Sequence, residues 1–309
     1  MKRLLALLLL ALLLTGCASN VVNGIIQWGE GGGTDTLMRP LCAKTEPYLN
    51  GSISLRNMTG GTGTVATQYV FDKSADGKTL LLGAENPAMY DALGLSDLTY
   101  RDFTCVLLIG SETVGVTVPS DSPYATFSDL IDAAKAKPGT VRLATTSKGG
   151  LPWTVARFIQ AVTGATFLEV PYDSDATART AVLNGECEVT VSKLQSGIDA
   201  VREGKLRYLC MLSDAPVDAL PDVPPITDYN AGFAAYLPWG PFYGVFVKKG
   251  TDAETMQRLS DAFLNGYMEP SYQTLLHDLY VDPLGLTGAE ADAYIETWRA
   301  ASLAALETE

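Results

Sequence analysis

Three short loops built from small residues carry the chemistry legible in this chain. The first runs Trp28-Gly29-Glu30-Gly31-Gly32-Gly33-Thr34-Asp35 and lies between an apolar run and an amphipathic one. Glycines there can adopt positive φ and let backbone N–H groups approach a ligand closely. A helix predicted to start near Thr34 would add the positive end of its dipole. Gly31, Gly32, Gly33 and Thr34 are therefore a candidate cradle for an anion such as a carboxylate. Asp35 would either contact the ligand or cap its helix. The second loop, Asn57-Met58-Thr59-Gly60-Gly61-Thr62-Gly63, offers Gly60 and Gly61, and the third, Thr145-Thr146-Ser147-Lys148-Gly149-Gly150, offers Thr146, Ser147 and Lys148. All three follow predicted strands, so they suit a ligand held at the carboxyl ends of strands in a crevice. The competing reading is three unrelated tight turns.

Other chemistries find little support. A single histidine, His277, nearly removes zinc sites and Ser-His-Asp or Cys-His catalysis from consideration. The first loop has threonine where a G-x-G-x-x-G fingerprint needs its last glycine, and there is no G-x-x-x-x-G-K run. Glu30, Asp35 and Asp173 are candidates for paired-carboxylate acid/base work, but no nucleophile–base motif accompanies them. No cofactor and no metal is expected. The formal charge of −13 offers no basic face for nucleic acid, and 47% hydrophobic content excludes disorder.

The elements that must hold these loops read as strands alternating with helices, the pattern of parallel sheets with crossover connections. Strands are predicted at 25–28, 53–57, 79–82, 104–109, 114–118, 141–145, 167–170, 187–191, 206–212 and 243–247, with helices at 34–49, 127–136 and 153–162. Residues after 247 read as helical, with Thr251-x-x-Glu254 and Thr287-x-x-Glu290 as capping boxes. The 309 residues suffice for two domains. The chain is divided into 17–113 plus 246–309 as a first α/β lobe and 114–245 as a second, with two crossings that form a hinge.

Ahead of the lobes, Lys2 and Arg3 precede the apolar run Leu4 to Leu14, too short for a bilayer core of about 30 Å but suited to a signal peptide. Leu14-Thr15-Gly16-Cys17 resembles a bacterial lipobox, which implies cleavage of residues 1–16 and lipidation of Cys17. Cys42, Cys105, Cys187 and Cys210 remain, either disulfide-bonded or buried as thiols.

Taken in order, the motifs resemble the solute-binding receptors of tripartite tricarboxylate transporters, often called Bug receptors. Trp28, Gly31, Gly32, Thr34, Asp35 and Arg39 match that family's first ligand loop. Asn57, Gly60, Gly61 and Gly63 match the second, Asp76 to Leu81 its Asp-Gly-x-Thr-Leu-Leu turn, and Pro171-Tyr172, Leu183-Asn184-Gly185 and Leu220 to Pro224 its later signatures. The resemblance implies a two-lobed periplasmic-binding-protein fold of the second type that closes on a small carboxylate. It also implies delivery of an unaltered cargo to integral membrane subunits outside the cytoplasm; with the lipobox, the expected protein is a lipid-anchored monomer. A sensor acting on a signalling kinase is the alternative role, and a hydrolase the more distant one.

Departures from the family pattern bear on ligand identity. Glu30 enters the first loop, Asp173 and Asp175 flank Ser174, Trp153 follows the third loop, and Ser192 stands where an aspartate is frequent. Trp28, Glu30, Glu85, Tyr172, Asp173 and Ser192 complete the expected binding set. Unpaired acids beside a bound carboxylate would oppose it. They therefore point either to a ligand with a positive centre, such as an amino acid, or to solvent at the rim.

Overall fold

A computed structural model describes residues 21–146 and 148–306 of the chain. The predicted leader, Cys17 and Ser147 lie outside the described residues.

Among the described residues, eleven strands form two groups. The first sheet contains β1 (Val21–Ile26), β2 (Ser52–Asn57), β3 (Thr79–Ala84), β4 (Phe103–Glu112), β10 (Phe242–Lys248) and β11 (Val281–Leu286), in the order β11-β4-β10-β3-β1-β2. The second group contains β5 (Val114–Pro119), β6 (Arg142–Thr145), β7 (Leu168–Pro171), β8 (Thr190–Lys193) and β9 (Leu206–Met211). Here β8-β5-β9 and β6-β7 are joined where the Ala144 amide donates to the Val189 carbonyl at 2.9 Å.

The sheets are mixed, which corrects the expectation of parallel sheets alone. β1 is parallel to β2 and β3, but β10 runs antiparallel to both β3 and β4. The cause is connectivity: β4 runs through Thr113 directly into β5 of the other group, and β10 is the chain's return, inserted between β3 and β4. A second correction concerns the tail, where β11 stands in place of continuous helix. Its Pro283 and Gly285 break the apolar pattern, yet an edge strand tolerates proline, and the register against β4 is irregular between Pro283 and Leu286.

Helices α1 (Gly33–Leu49), α2 (Thr64–Phe71), α3 (Phe127–Ala136), α4 (Leu151–Thr163), α5 (Asp175–Leu183) and α6 (Leu194–Arg202) lie between these strands. α7 (Ala253–Tyr267), α8 (Pro270–Asp278) and α9 (Gly288–Leu306) close the chain. α1 buries Leu37, Met38, Leu41, Cys42, Thr45 and Leu49 on one helical face, and each full-sized apolar side chain there contributes about 2 kcal/mol. α7 is capped by Asp252, whose carboxylate accepts from the Thr255 amide at 2.9 Å. The expected Thr251 cap is displaced, because that hydroxyl donates to the Lys248 carbonyl. All four described cysteines are buried free thiols.

One apolar cluster runs behind the chain crossings and joins both sheets through Leu81, Val116, Phe158, Trp239 and Trp298. Trp298 of α9 stacks on Trp239 at 5.8 Å, and the indole of Trp239 donates to Ser302 Oγ at 2.8 Å. Arg299 forks onto Asp91 with bonds of 2.8 and 2.7 Å. The closing helix is therefore tied to Trp239 and to Asp91.

Candidate functional site

Asp35, in the first turn of α1, organises the first loop. One of its carboxylate oxygens accepts from the Gly31 amide at 3.0 Å, and the other accepts from Arg39 Nε and Asn57 Nδ2, both at 2.8 Å. Asn57 also donates to the Trp28 carbonyl at 2.8 Å and accepts from Arg39. Burial opposes charge on Asp35, but Arg39, the Gly31 amide and Asn57 outweigh it and hold the carboxyl below its ordinary range. Gly31 takes φ +73°, and the Gly32 amide donates to the Gly29 carbonyl. Two of the four amides of the expected cradle are thus spent inside the loop. Those of Gly33 and Thr34 remain at the helix start, where backbone donors have no partner within the helix.

Behind this loop, Gln27 ties two others together. Its side-chain amide donates to the Tyr90 hydroxyl at 2.6 Å and accepts from the Ala84 amide at 3.1 Å. Tyr90 in turn donates to the Thr62 carbonyl in the second loop at 2.9 Å. Gly60, Gly61 and Gly63 of that loop all have positive φ.

The crevice proper lies between the two groups of strands, a narrow cavity of about 30 Å³. Glu85, Asn86 and Tyr90 line it from the first, Gly149 and Leu151 from the second, with Trp239 and Trp298 at the back. The third loop reaches across: Gly149, at φ +80°, sits against Leu93, and any side chain there would collide with that leucine. Near the chain crossing, Lys193 at the end of β8 forms an ion pair with Glu112 at 2.7 Å and donates to the Tyr243 hydroxyl at 3.0 Å. Tyr243 donates to the same Glu112 carboxylate at 2.5 Å. A Cβ on Gly33 would lie 3.0 Å from that hydroxyl, so the start of α1 abuts this triad. Burial opposes the Lys193 ammonium, but Tyr243 and Glu112 prevail and hold its pKa well above the ordinary lysine range.

Glu85 is the least compensated acid of the group. Its Oε2 is out of solvent contact and has no hydrogen-bond partner among the described residues, and the same holds for Asn86 Oδ1 and Thr146 Oγ1. Burial pushes the Glu85 carboxyl up to about 7, Glu112 and Asp175 add to the rise, and Lys193 pulls against it. Asp175 is raised as well, by burial first and Glu112 second, against Lys193 and Arg179.

Residues 38–300 match the family model of the tripartite tricarboxylate transporter family receptor. The chain belongs to that family. The matched span begins just past Asp35 and contains the second and third loops and both chain crossings. Among curated relatives, the receptor is 26% identical to the protein BugT of Bordetella pertussis over 275 residues, 84% of this chain and 83% of that one. Among solved structures it superposes on a TctC solute-binding protein from Polaromonas with a TM-score of 0.78 at 22% identity, covering 94% and 98% of the two chains. An R. palustris protein solved with adipate gives 0.76 at 21% identity, covering 93% and 96%. The shared fold is that of two-lobed solute-binding proteins.

Within the receptor, the expected site residues fall into three groups. Glu85 lines the crevice, with Gly149 of the third loop across from it, Gly33 abuts the Lys193–Glu112–Tyr243 triad, and Ser192 is buried beside Lys193 with an unpartnered hydroxyl. Gly31, Gly32, Asp35 and the Trp28 carbonyl form the brace of the first loop. Glu30, Tyr172 and Asp173 go elsewhere. The Glu30 side chain is 82% exposed and lies 3.9 Å from Arg39 at the rim, because Asp35 and Asn57 already hold that guanidinium. Tyr172 packs in a satellite core of the second group, its hydroxyl bonded to Glu186 at 3.2 Å. Asp173 is exposed, while Asp175 is the acid that interacts with Lys193 and Glu112. Lys148 lies 5.8 Å from the Trp153 ring.

Sequence reading missed Glu112, Tyr243, Asn86 and Lys193. A signal was available for one of them: Glu112 ends the largely apolar strand β4, and a charge inside such a run needs a partner.

Proposed function

We propose that this chain is an extracytoplasmic receptor that captures a small carboxylate-containing metabolite between its lobes and delivers it to the integral membrane subunits of a tripartite secondary transporter. In this reading residues 1–16 are removed and lipid on Cys17 tethers the monomer to the membrane. The first lobe comprises the β1-β2-β3-β4-β10-β11 sheet with α7 to α9, the second spans β5 to β9, and closure brings the third loop onto the first-lobe wall. The observation that carries the reading is the crevice lined from both groups of strands, whose wall residue Glu85 feels the charge of Lys193, a lysine held by Tyr243 against the start of α1. Amides at a helix start and a fixed ammonium suit a carboxylate. Contacts made only when both lobes meet would shift an open–closed equilibrium toward the form the membrane subunits recognise. No catalytic step is assigned, and the cargo leaves as it entered.

The test is native mass spectrometry of the mature protein as purified, followed by thermal-shift titration with small mono-, di- and tricarboxylates. Retained or stabilising carboxylate, recovered chemically unchanged, is the expected result. Absence of stabilisation by any small carboxylate, or recovery of an altered ligand, would refute the reading.

A further inference from the structure

We infer that the crevice selects a cargo bearing an amino or comparable N–H donor beside its carboxylate, and that Glu85 and Asn86 are the acceptors that recognise it. The inference rests on the receptor reading above and narrows its ligand class. Two adjacent side-chain acceptors, Glu85 Oε2 and Asn86 Oδ1, line the same crevice out of solvent contact and find no donor among the described residues. Buried acceptors are rarely left so, and the chemistry that completes them is a donor supplied by the bound molecule.

The surrounding charges favour the same ligand. The groups that act on Glu85 are Lys193, its own backbone amide, Glu112, Asp175 and the Tyr90 phenol. Lys193 is engaged by Glu112 and Tyr243, and Arg179 lies one helical turn beyond Asp175. Glu85 therefore lacks a cation of its own. A plain dicarboxylate placed against it would add like charge in a confined space, whereas an ammonium would complete the pair. A zwitterion meets both needs, with its amine toward Glu85 and Asn86 and its carboxylate kept away from these acids.

Calorimetric titration of the mature receptor tests this with matched probes: aspartate, glutamate and 4-aminobutyrate against succinate, glutarate and butyrate, each at pH 6 and pH 8. The amine-bearing member of a pair should bind about tenfold tighter at pH 8, and its advantage should shrink at pH 6 as Glu85 takes up a proton. Glu85→Gln should remove most of that advantage, and Glu85→Asp should keep part of it, which separates charge recognition from a folding defect. Tighter binding of the plain acids, strengthened at pH 6 and undiminished in Glu85→Gln, would overturn the amine assignment and leave the receptor reading standing. Failure of all six probes to bind would overturn both.

Discussion

Asp35 and Glu85 follow neighbouring parallel strands, β1 and β3, and their surroundings are opposite. Both oxygens of Asp35 are filled by donors from Gly31, Arg39 and Asn57, and its carboxyl titrates below the ordinary range. Glu85 has one oxygen with no donor, and its carboxyl titrates near 7. A carboxylate whose acceptor capacity is full can hold a loop in one shape but has little to offer a ligand. One whose capacity is open is unstable alone and is completed by what it binds. The glycine loop and the crevice wall thus divide the work: the first spends its hydrogen bonds on geometry, and the second keeps them for cargo.

The largest effect should come from the crevice's own filled pair. Lys193→Met leaves Glu112, 2% exposed, without its cation, and removal of one partner from a buried pair costs about 3 kcal/mol. Urea melts should show the loss at neutral pH, and replacing Glu112 by Gln in the same chain should recover part of it. A penalty below about 1 kcal/mol would mean that Glu112 is rehydrated and that the triad holds nothing.

Next in size is Asp35→Ala, which takes an acceptor from three donors at once, for about 2 kcal/mol at pH 7. The folded pKa of Asp35 lies below its unfolded value, so its contribution is present above the ordinary aspartate range and is lost as pH falls through the folded value. Wild type and variant should therefore converge in stability toward pH 3. An equal gap at pH 7 and pH 3 would assign the brace to packing rather than charge.

The contrast also explains what the sequence could reveal. The first-loop motif was legible because Asp35, Arg39 and Asn57 are close in sequence or sit at a strand end, and glycine clusters announce special backbone. Most strands and the α3 boundaries followed from periodicity, since apolar positions at helical or alternating spacing must face a core. β11 was hidden because an edge strand with proline and glycine has neither pattern. The Lys193–Glu112–Tyr243 triad was hidden for another reason: it joins β4, β8 and β10, and long-range pairing between strands has no local signature. Glu30 and Asp173 drew attention by their charge and their motif neighbourhoods, but nothing local distinguishes an acid facing a rim from one facing a crevice.

The smallest predicted effect turns the comparison into a difference of sign. Glu85→Gln keeps the side chain's shape and removes a charge that the folded state disfavours. Because the folded pKa, about 7, lies above the unfolded one, the wild type loses stability as pH rises from the ordinary glutamate range to about 7 and holds that deficit beyond it. The variant carries no such loss; the full rise converts to about 3 kcal/mol, which the partial exposure of the residue cuts to about 1 kcal/mol, so without ligand the variant should be more stable than wild type by that amount at pH 8 and equal to it below pH 4. At pH 8 Asp35→Ala loses stability and Glu85→Gln gains it, beyond adjacent strands, with the first effect fading below the ordinary aspartate range and the second between about 7 and the ordinary glutamate range. If Glu85→Gln instead destabilises the unliganded receptor at pH 8, Glu85 already has a donor in solution, and the division between a loop that is complete and a wall that awaits its ligand fails.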